Sequence, residues 1–157
     1  MVRLIEGGKS GGGKKFCVIA ARFNSWLTDR LLKGAVDELK RLGAADEAID
    51  VVRVPGSFEL PVVAGKAAGT GRYAAVICLG AVLKGETSHD VHIASSCVAG
   101  IQEAAVATGV PVTFGVITAD TFELARARAC LDGGRNLGRD AAAAAVETAS
   151  ILERLGQ

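Results

Sequence analysis

Tyr73-Ala74-Ala75-Val76-Ile77-Cys78-Leu79 runs for seven residues without a charge, and Gly80-Ala81-Val82-Leu83 extends it before the chain turns polar at Lys84-Gly85-Glu86-Thr87. A strand with one wet face alternates apolar and polar side chains. A strand apolar at every position is covered on both faces, which is the usual state of a strand inside a parallel sheet. The reading of this one stretch therefore decides the class of fold.

Outward from it, strands and helices alternate. Phe16–Ala21 is a short β-rich run that gives way to the polar Arg22-Phe23-Asn24-Ser25. A helical pattern follows, with Leu27, Leu31, Leu32, Ala35, Val36 and Leu39 on one face, and Gly43 ends it. Ile49–Val54 reads as a second strand stopped by Pro55-Gly56, and a helix begins at Phe58 with Pro61 in its first turn. Tyr73–Leu79 is the third strand, and a long helix spans about Ser88 to Ala107. Val112–Ile117 is the fourth strand, and helical segments cover roughly Thr121–Ala129 and Arg139–Leu155. Short connections between alternating elements predict one three-layer αβα domain over residues 1–157, built on a four-stranded parallel sheet. Residues 1–14, rich in glycine and lysine, are expected to be flexible or to contact a partner.

Composition narrows the function. A chain of 157 residues can bury a sizeable core, and with half its residues apolar and 22% charged it falls among globular chains. A net charge of +1 gives no electrostatic footprint for nucleic acid or an anionic membrane. No apolar run reaches the length of a membrane span, and the N-terminus has no apolar signal core, so a cytoplasmic location is expected. Cys17, Cys78, Cys97 and Cys130 form no C-x-x-C pair and match no zinc spacing; all four read as structural thiols of a reducing compartment. Twenty glycines and only seven aromatics make each aromatic worth locating.

In a doubly wound sheet, ligands bind beyond the carboxyl ends of the strands, so the residues after each strand are the candidates. Phe23 is either a staple at a helix start or a platform for a flat heterocycle. Ser57 is a plausible N-cap. Glu59 either complements a helix dipole or accepts hydrogen bonds from sugar hydroxyls. Gly85-Glu86-Thr87-Ser88-His89 is the richest stretch: glycine allows close backbone approach, and free N–H groups at a helix start attract phosphate. His89 in that first turn suits a group that both takes and returns protons. His89, Asp90 and His92 have neither the H-E-x-x-H spacing nor a further ligand cluster, so no metal is expected. Arg126 and Arg128 are nearby cations able to complete a phosphate site.

The four strand-end segments, RFN, VPGSFELP, LGAVLKGETSH and PVTFGVITADTFELARAR, occur in an order that closely resembles the 6,7-dimethyl-8-ribityllumazine synthase family. The resemblance covers almost the whole chain, including the opening VRLIEG. It implies a flavodoxin-like fold, a homopentamer with each active site between two subunits, and a decamer or 60-subunit shell left open. It further implies condensation of 5-amino-6-(D-ribitylamino)uracil with 3,4-dihydroxy-2-butanone 4-phosphate, a step of riboflavin biosynthesis needing no cofactor. On that pattern Phe23 would stack on the pyrimidine, and Ser57, Phe58 and Glu59 would hold the ribityl chain and ring edge. Ala81, Val82 and Leu83 would line the heterocycle. Gly85, Glu86 and Thr87 would cradle the phosphate with Arg128. Phe114 would cover the site from the neighbouring subunit, and His89 would move the protons.

Two departures stand out. Asn136-Leu137-Gly138 replaces the family's frequent Asn-Lys-Gly, with Arg135 and Arg139 as conceivable substitutes, and the loop from Cys130 to Asn136 looks about one residue longer. A catalytically silent flavin-binding paralogue and an FMN module are the rivals. The first is opposed by Phe23, Glu59, His89 and Arg128, the second by the absence of a Ser/Thr-rich loop after the first strand.

Overall fold

A computed structural model describes residues 1–157. Four strands, β1 (Phe16–Ala21), β2 (Ile49–Val54), β3 (Ala75–Leu83) and β4 (Val112–Ala119), form one parallel sheet in the order β2-β1-β3-β4. Helices α1 (Ser25–Arg41) and α5 (Leu137–Leu155) cover one face, and α2 (Leu60–Gly69) and α3 (His89–Thr108) cover the other. The short α4 (Phe122–Arg126) follows β4. This is the three-layer, flavodoxin-like arrangement expected.

Alternation along the buried strands divides the core in two. Phe16, Val18 and Ala20 of β1 join Ile77 and Leu79 of β3 against Leu27, Leu31 and Leu39 of α1 and the alanines of α5. Cys17, Ile19 and Ala21 join Val76 and Cys78 against Leu60, Ala64, Cys97 and Ile101. Both sets are almost entirely shielded from solvent. Helix α5 comes so close to α1 that a Cβ on Gly138 would overlap the Leu31 carbonyl.

Several boundaries differ from the sequence reading. β3 continues through Ala81, Val82 and Leu83, because β4 keeps pairing with it as far as Leu83↔Ala119. The helix expected from Phe58 begins instead as a 3-10 turn over Ser57–Glu59 and becomes α-helical at Leu60. Its cap is Gly56, whose N–H donates to Glu59 Oε2 at 2.9 Å, so Ser57 is not the N-cap. α4 is shorter than Thr121–Ala129, α5 starts two residues before Arg139, and an additional 3-10 turn forms at Asp46–Ala48. Of the four thiols, Cys17, Cys78 and Cys97 are buried and Cys130 is only partly so; its Sγ lies over the Arg126 and Ala127 carbonyls.

The segment before β1 carries no regular element, and Met1 to Leu4 are exposed. From Glu6 onward it is tied to its own chain. Arg154 Nη1 donates to the Glu6 carbonyl at 2.6 Å, Gly8 N–H to Ser150 Oγ at 2.8 Å, and Gly11 N–H to the Leu42 carbonyl at 2.8 Å. No helix is long and apolar enough to cross a membrane.

Candidate active site

The chain leaves β1 toward β2 on one side and later returns through β3 on the other, so the strand order reverses between β1 and β3. A crevice is expected there on topology alone, and a hollow of about 570 Å³ opens at that point. β1 contributes Phe23 and Asn24 just past its end, and the turn after β2 contributes Gly56, Ser57, Phe58 and Glu59. The overhanging end of β3 supplies Ala81, Val82 and Leu83. Gly85, Thr87 and His89, with Asp90 and Ile93, close the hollow at the start of α3.

Phe23 is 73% exposed and Phe58 58% exposed, so neither ring is held by packing inside the chain. The staple reading of Phe23 fails on that exposure. What fixes it is backbone: Arg22 N–H donates to the Val54 carbonyl and Phe23 N–H to the Pro55 carbonyl, at 2.8 and 3.0 Å. Ser57 is buried against β3, where a Cβ on Gly80 would lie 2.5 Å from Ser57 Oγ; only glycine lets the turn approach the strand so closely. Glu59 caps its turn through Oε2 and also lines the hollow.

The loop before α3 leaves a run of backbone donors open. The backbone N–H groups of Gly85, Glu86, Thr87 and Ser88 donate to no acceptor in the chain. His89 N–H reaches Thr87 Oγ1 at 3.3 Å, and the Ser88 carbonyl takes the N–H groups of Val91 and His92 at 3.1 and 3.3 Å. Ser88 occupies the N-cap position without a side-chain capping bond. A run of open donors at the positive end of a twenty-residue helix is a phosphate-binding geometry. Glu86 belongs to this loop but does not line the hollow. His92 also points elsewhere; its Nε2 is 3.5 Å from Ser88 Oγ.

Phe114 and Arg128 lie outside this hollow. Together with Asp90, Val98, Thr118 and Leu124 they line a second one of about 810 Å³, which adjoins the first through Val82 and Asp90. Arg128 Nη1 donates to the Leu124 carbonyl at 2.8 Å. Leu137 packs against the core on the α1/α5 face, and its N–H donates to the Arg128 carbonyl at 2.9 Å. Arg135 is 3.6 Å from Asp140, Arg139 donates to the Gly134 carbonyl, and neither faces the two hollows. The buried Asn136 amide donates to the Arg30 and Cys130 carbonyls and its Oδ1 caps α5 at Arg139 N–H, which makes it an architectural residue.

Asn24, Gly56, Asp90 and Ile93 line the hollow without being among the expected substrate- or phosphate-binding residues. Ile93 falls one turn after His89 on the same helix face and could have been found from that spacing. No group of three or more His, Cys, Asp or Glu side chains is placed to hold a metal ion.

A doubly wound sheet with a hollow and a loop of open backbone donors at its switch point places this chain among α/β proteins of the flavodoxin-like class. Comparison with known proteins narrows the class. The family model described as 6,7-dimethyl-8-ribityllumazine synthase matches residues 13–153. The 6,7-dimethyl-8-ribityllumazine synthase of Desulfatibacillum aliphaticivorans is 47% identical over 154 residues, covering 98% of this chain and 99% of its own. That of Desulfotalea psychrophila is 48% identical over 155 residues, covering 99% of each chain. The chain belongs to the 6,7-dimethyl-8-ribityllumazine synthase family, and it is a transferase of riboflavin biosynthesis.

Proposed function

We propose that the first hollow is where this chain condenses 5-amino-6-(D-ribitylamino)uracil with 3,4-dihydroxy-2-butanone 4-phosphate to give 6,7-dimethyl-8-ribityllumazine. The observation that carries the assignment is the loop Gly85–Ser88, with uncommitted backbone N–H groups beside His89 and facing Phe23 across one cavity. Phosphate on the loop and pyrimidine on the exposed Phe23 ring hold the two substrates edge to edge.

The chemistry follows from that placement. The substrate amine attacks the ketone to give a carbinolamine, which loses water to form a Schiff base. Loss of a carbon-bound proton and elimination of phosphate follow. The enol left by that elimination tautomerises to a ketone, and the ribityl-bearing nitrogen closes the ring on this new carbonyl with loss of a second water. His89, at the foot of α3, takes and returns protons near the phosphate, and Glu59 with Ser57 holds the ribityl hydroxyls and ring edge. No side chain becomes a covalent nucleophile. Much of the acceleration comes from orienting two reactants, an effect that can be worth several powers of ten.

Phe114 and Arg128 line one hollow, so a neighbouring subunit that brings Phe114 over the site brings Arg128 with it. That supports a site shared between two subunits; the assembly proposed is a homopentamer in the cytoplasm, with one functional domain per chain. The first test is to mix the protein with both substrates and follow lumazine absorbance. Product formation above the uncatalysed background, with a KM for the four-carbon phosphate raised in Arg128→Ala, is the expected result. No acceleration together with tight riboflavin binding would identify a flavin-binding paralogue instead.

A further inference from the structure

Asn24 is the only residue other than glycine with a positive φ, at φ 60° and ψ 46°. The left-handed region is costly for an L-residue, and asparagine is among the few that tolerate it. Asn24 occupies the N-cap position of α1, where its side chain would ordinarily accept a hydrogen bond from the helix's first N–H groups. It makes no such bond. Its Nδ2 donates instead to the Ala81 carbonyl at 3.0 Å, 57 residues away.

The register shows what that bond spans. β1 pairs with β3 only as far as Ala20↔Leu79, whereas β4 follows β3 to Leu83. Beyond Leu79 the β1 side of β3 is open, and this opening is the floor of the hollow. The Asn24 amide crosses it at the first available carbonyl. In a pleated strand the N–H and C=O groups of alternate residues face the same side, so those of Leu83 are the next pair open to a ligand. On the other side of the gap stands Phe23, whose ring has almost no packing of its own.

We infer that Asn24 is a positioning residue for the pyrimidine substrate. Its amide sets the separation between the Phe23 ring and the end of β3, and the strained turn is kept because it presents that ring. The inference rests on the placement of the pyrimidine proposed above. It assigns Asn24 no contact with the reacting atoms.

The experiment compares Asn24→Gly, Asn24→Asp and Phe23→Ala, alone and combined, by steady-state kinetics with each substrate varied in turn. Glycine keeps the left-handed turn and removes only the amide. Asn24→Gly should raise the KM for the pyrimidine about tenfold, the value of one hydrogen bond, and leave the KM for the four-carbon phosphate unchanged. Asn24→Asp keeps size and turn but sets an acceptor against the Ala81 carbonyl, so its effect should be larger. In the Phe23→Ala background the Asn24→Gly effect should fall to less than about twofold, since residues acting through one group are not additive. Equal increases in both KM values, no increase, or a full effect without the Phe23 ring would overturn the inference. If Asn24→Gly melts at the assay temperature, Asn24→Asp carries the same comparison. Phe23→Ala alone separates the two failures: an unchanged pyrimidine KM there would sink the site assignment, whereas a raised one with no effect at Asn24 would sink only the positioning role.

Discussion

Helices α3 and α5 have nearly the same length and cover opposite faces of the same sheet, but they are buried to different degrees. α5 buries Gly138, Ala141, Ala142, Ala145, Val146, Ala149 and Ser150, and turns Asp140, Glu147, Glu153 and Arg154 outward. α3 buries only Cys97 and Ile101 in its twenty residues, and leaves Val91, Val98 and Val106 exposed. Its only acidic or basic residues apart from the two histidines are Asp90 and Glu103. α5 is an amphipathic helix whose apolar stripe is covered by its own chain. α3 is apolar on a side that this chain does not cover, and that side carries the second hollow with Phe114 and Arg128. The difference teaches where the proposed neighbour belongs.

The largest effect should come from charging that side. Val98→Glu is expected to reduce the assembly to single chains in sedimentation and to lower activity by a hundredfold or more, because an unpaired charge in an interface costs several kcal/mol. Ala144→Glu on the exposed side of α5 should change neither. Equal behaviour of the two variants would break the comparison. Inside the chain, Leu31→Ala should cost about 3 kcal/mol in urea denaturation, within the range for a fully buried leucine. Val98→Ala, removing a half-exposed side chain, should cost the single chain less than about 0.5 kcal/mol.

At the foot of α3, His89→Ala should lower kcat about a hundredfold, the lower end for a general acid–base, with turnover still above the uncatalysed rate. A fall to the background would mean that proton transfer, not orientation, dominates. Co-expressing Glu59→Ala with Arg128→Ala sharpens the interface reading. If each site takes one half from each of two subunits, random mixing should restore about a quarter of the sites; no restoration would place Arg128 and Glu59 in the same subunit's site.

The smallest effect concerns the thiols behind α3. Burial pushes Cys17 and Cys97 up to about 11, with the nearby Asp50 carboxylate adding to the effect at Cys17. Cys78 is raised further, again chiefly by burial. The folded chain therefore holds these protons more tightly than the unfolded chain. Their contribution to stability is complete below about pH 9 and is lost as pH rises toward 11. A thiol reagent at pH 8 should titrate Cys130 quickly and the other three only on unfolding.

Much of the mouth of the sheet was legible because its signals are local. A polar segment after each apolar run marks a strand end, and Gly85-Glu86-Thr87-Ser88-His89 announces a helix start with open donors. The ends of elements were harder. Ala81, Val82 and Leu83 remain in β3 because β4 pairs with them, and no residue near them in sequence carries that information. The cap at Gly56 depends on a carboxylate three residues on, whereas the local sequence points to Ser57, which instead packs against Gly80. Cys130 reads like its three fellows until the packing is seen.

By itself the sequence determined the parallel α/β class, the four strands, and part of the first hollow's lining, Phe23, Ser57, Glu59, Gly85, Thr87 and His89, since hydrophobic periodicity and strand-end chemistry are written within a few residues of each other. Only the tertiary structure decided that Phe114 and Arg128 share a hollow apart from His89, that Leu137 turns toward the core, and that Asn24 bridges to Ala81. Those relations depend on the register and crossing of elements distant in the chain, which packing of the whole core fixes and no local pattern encodes.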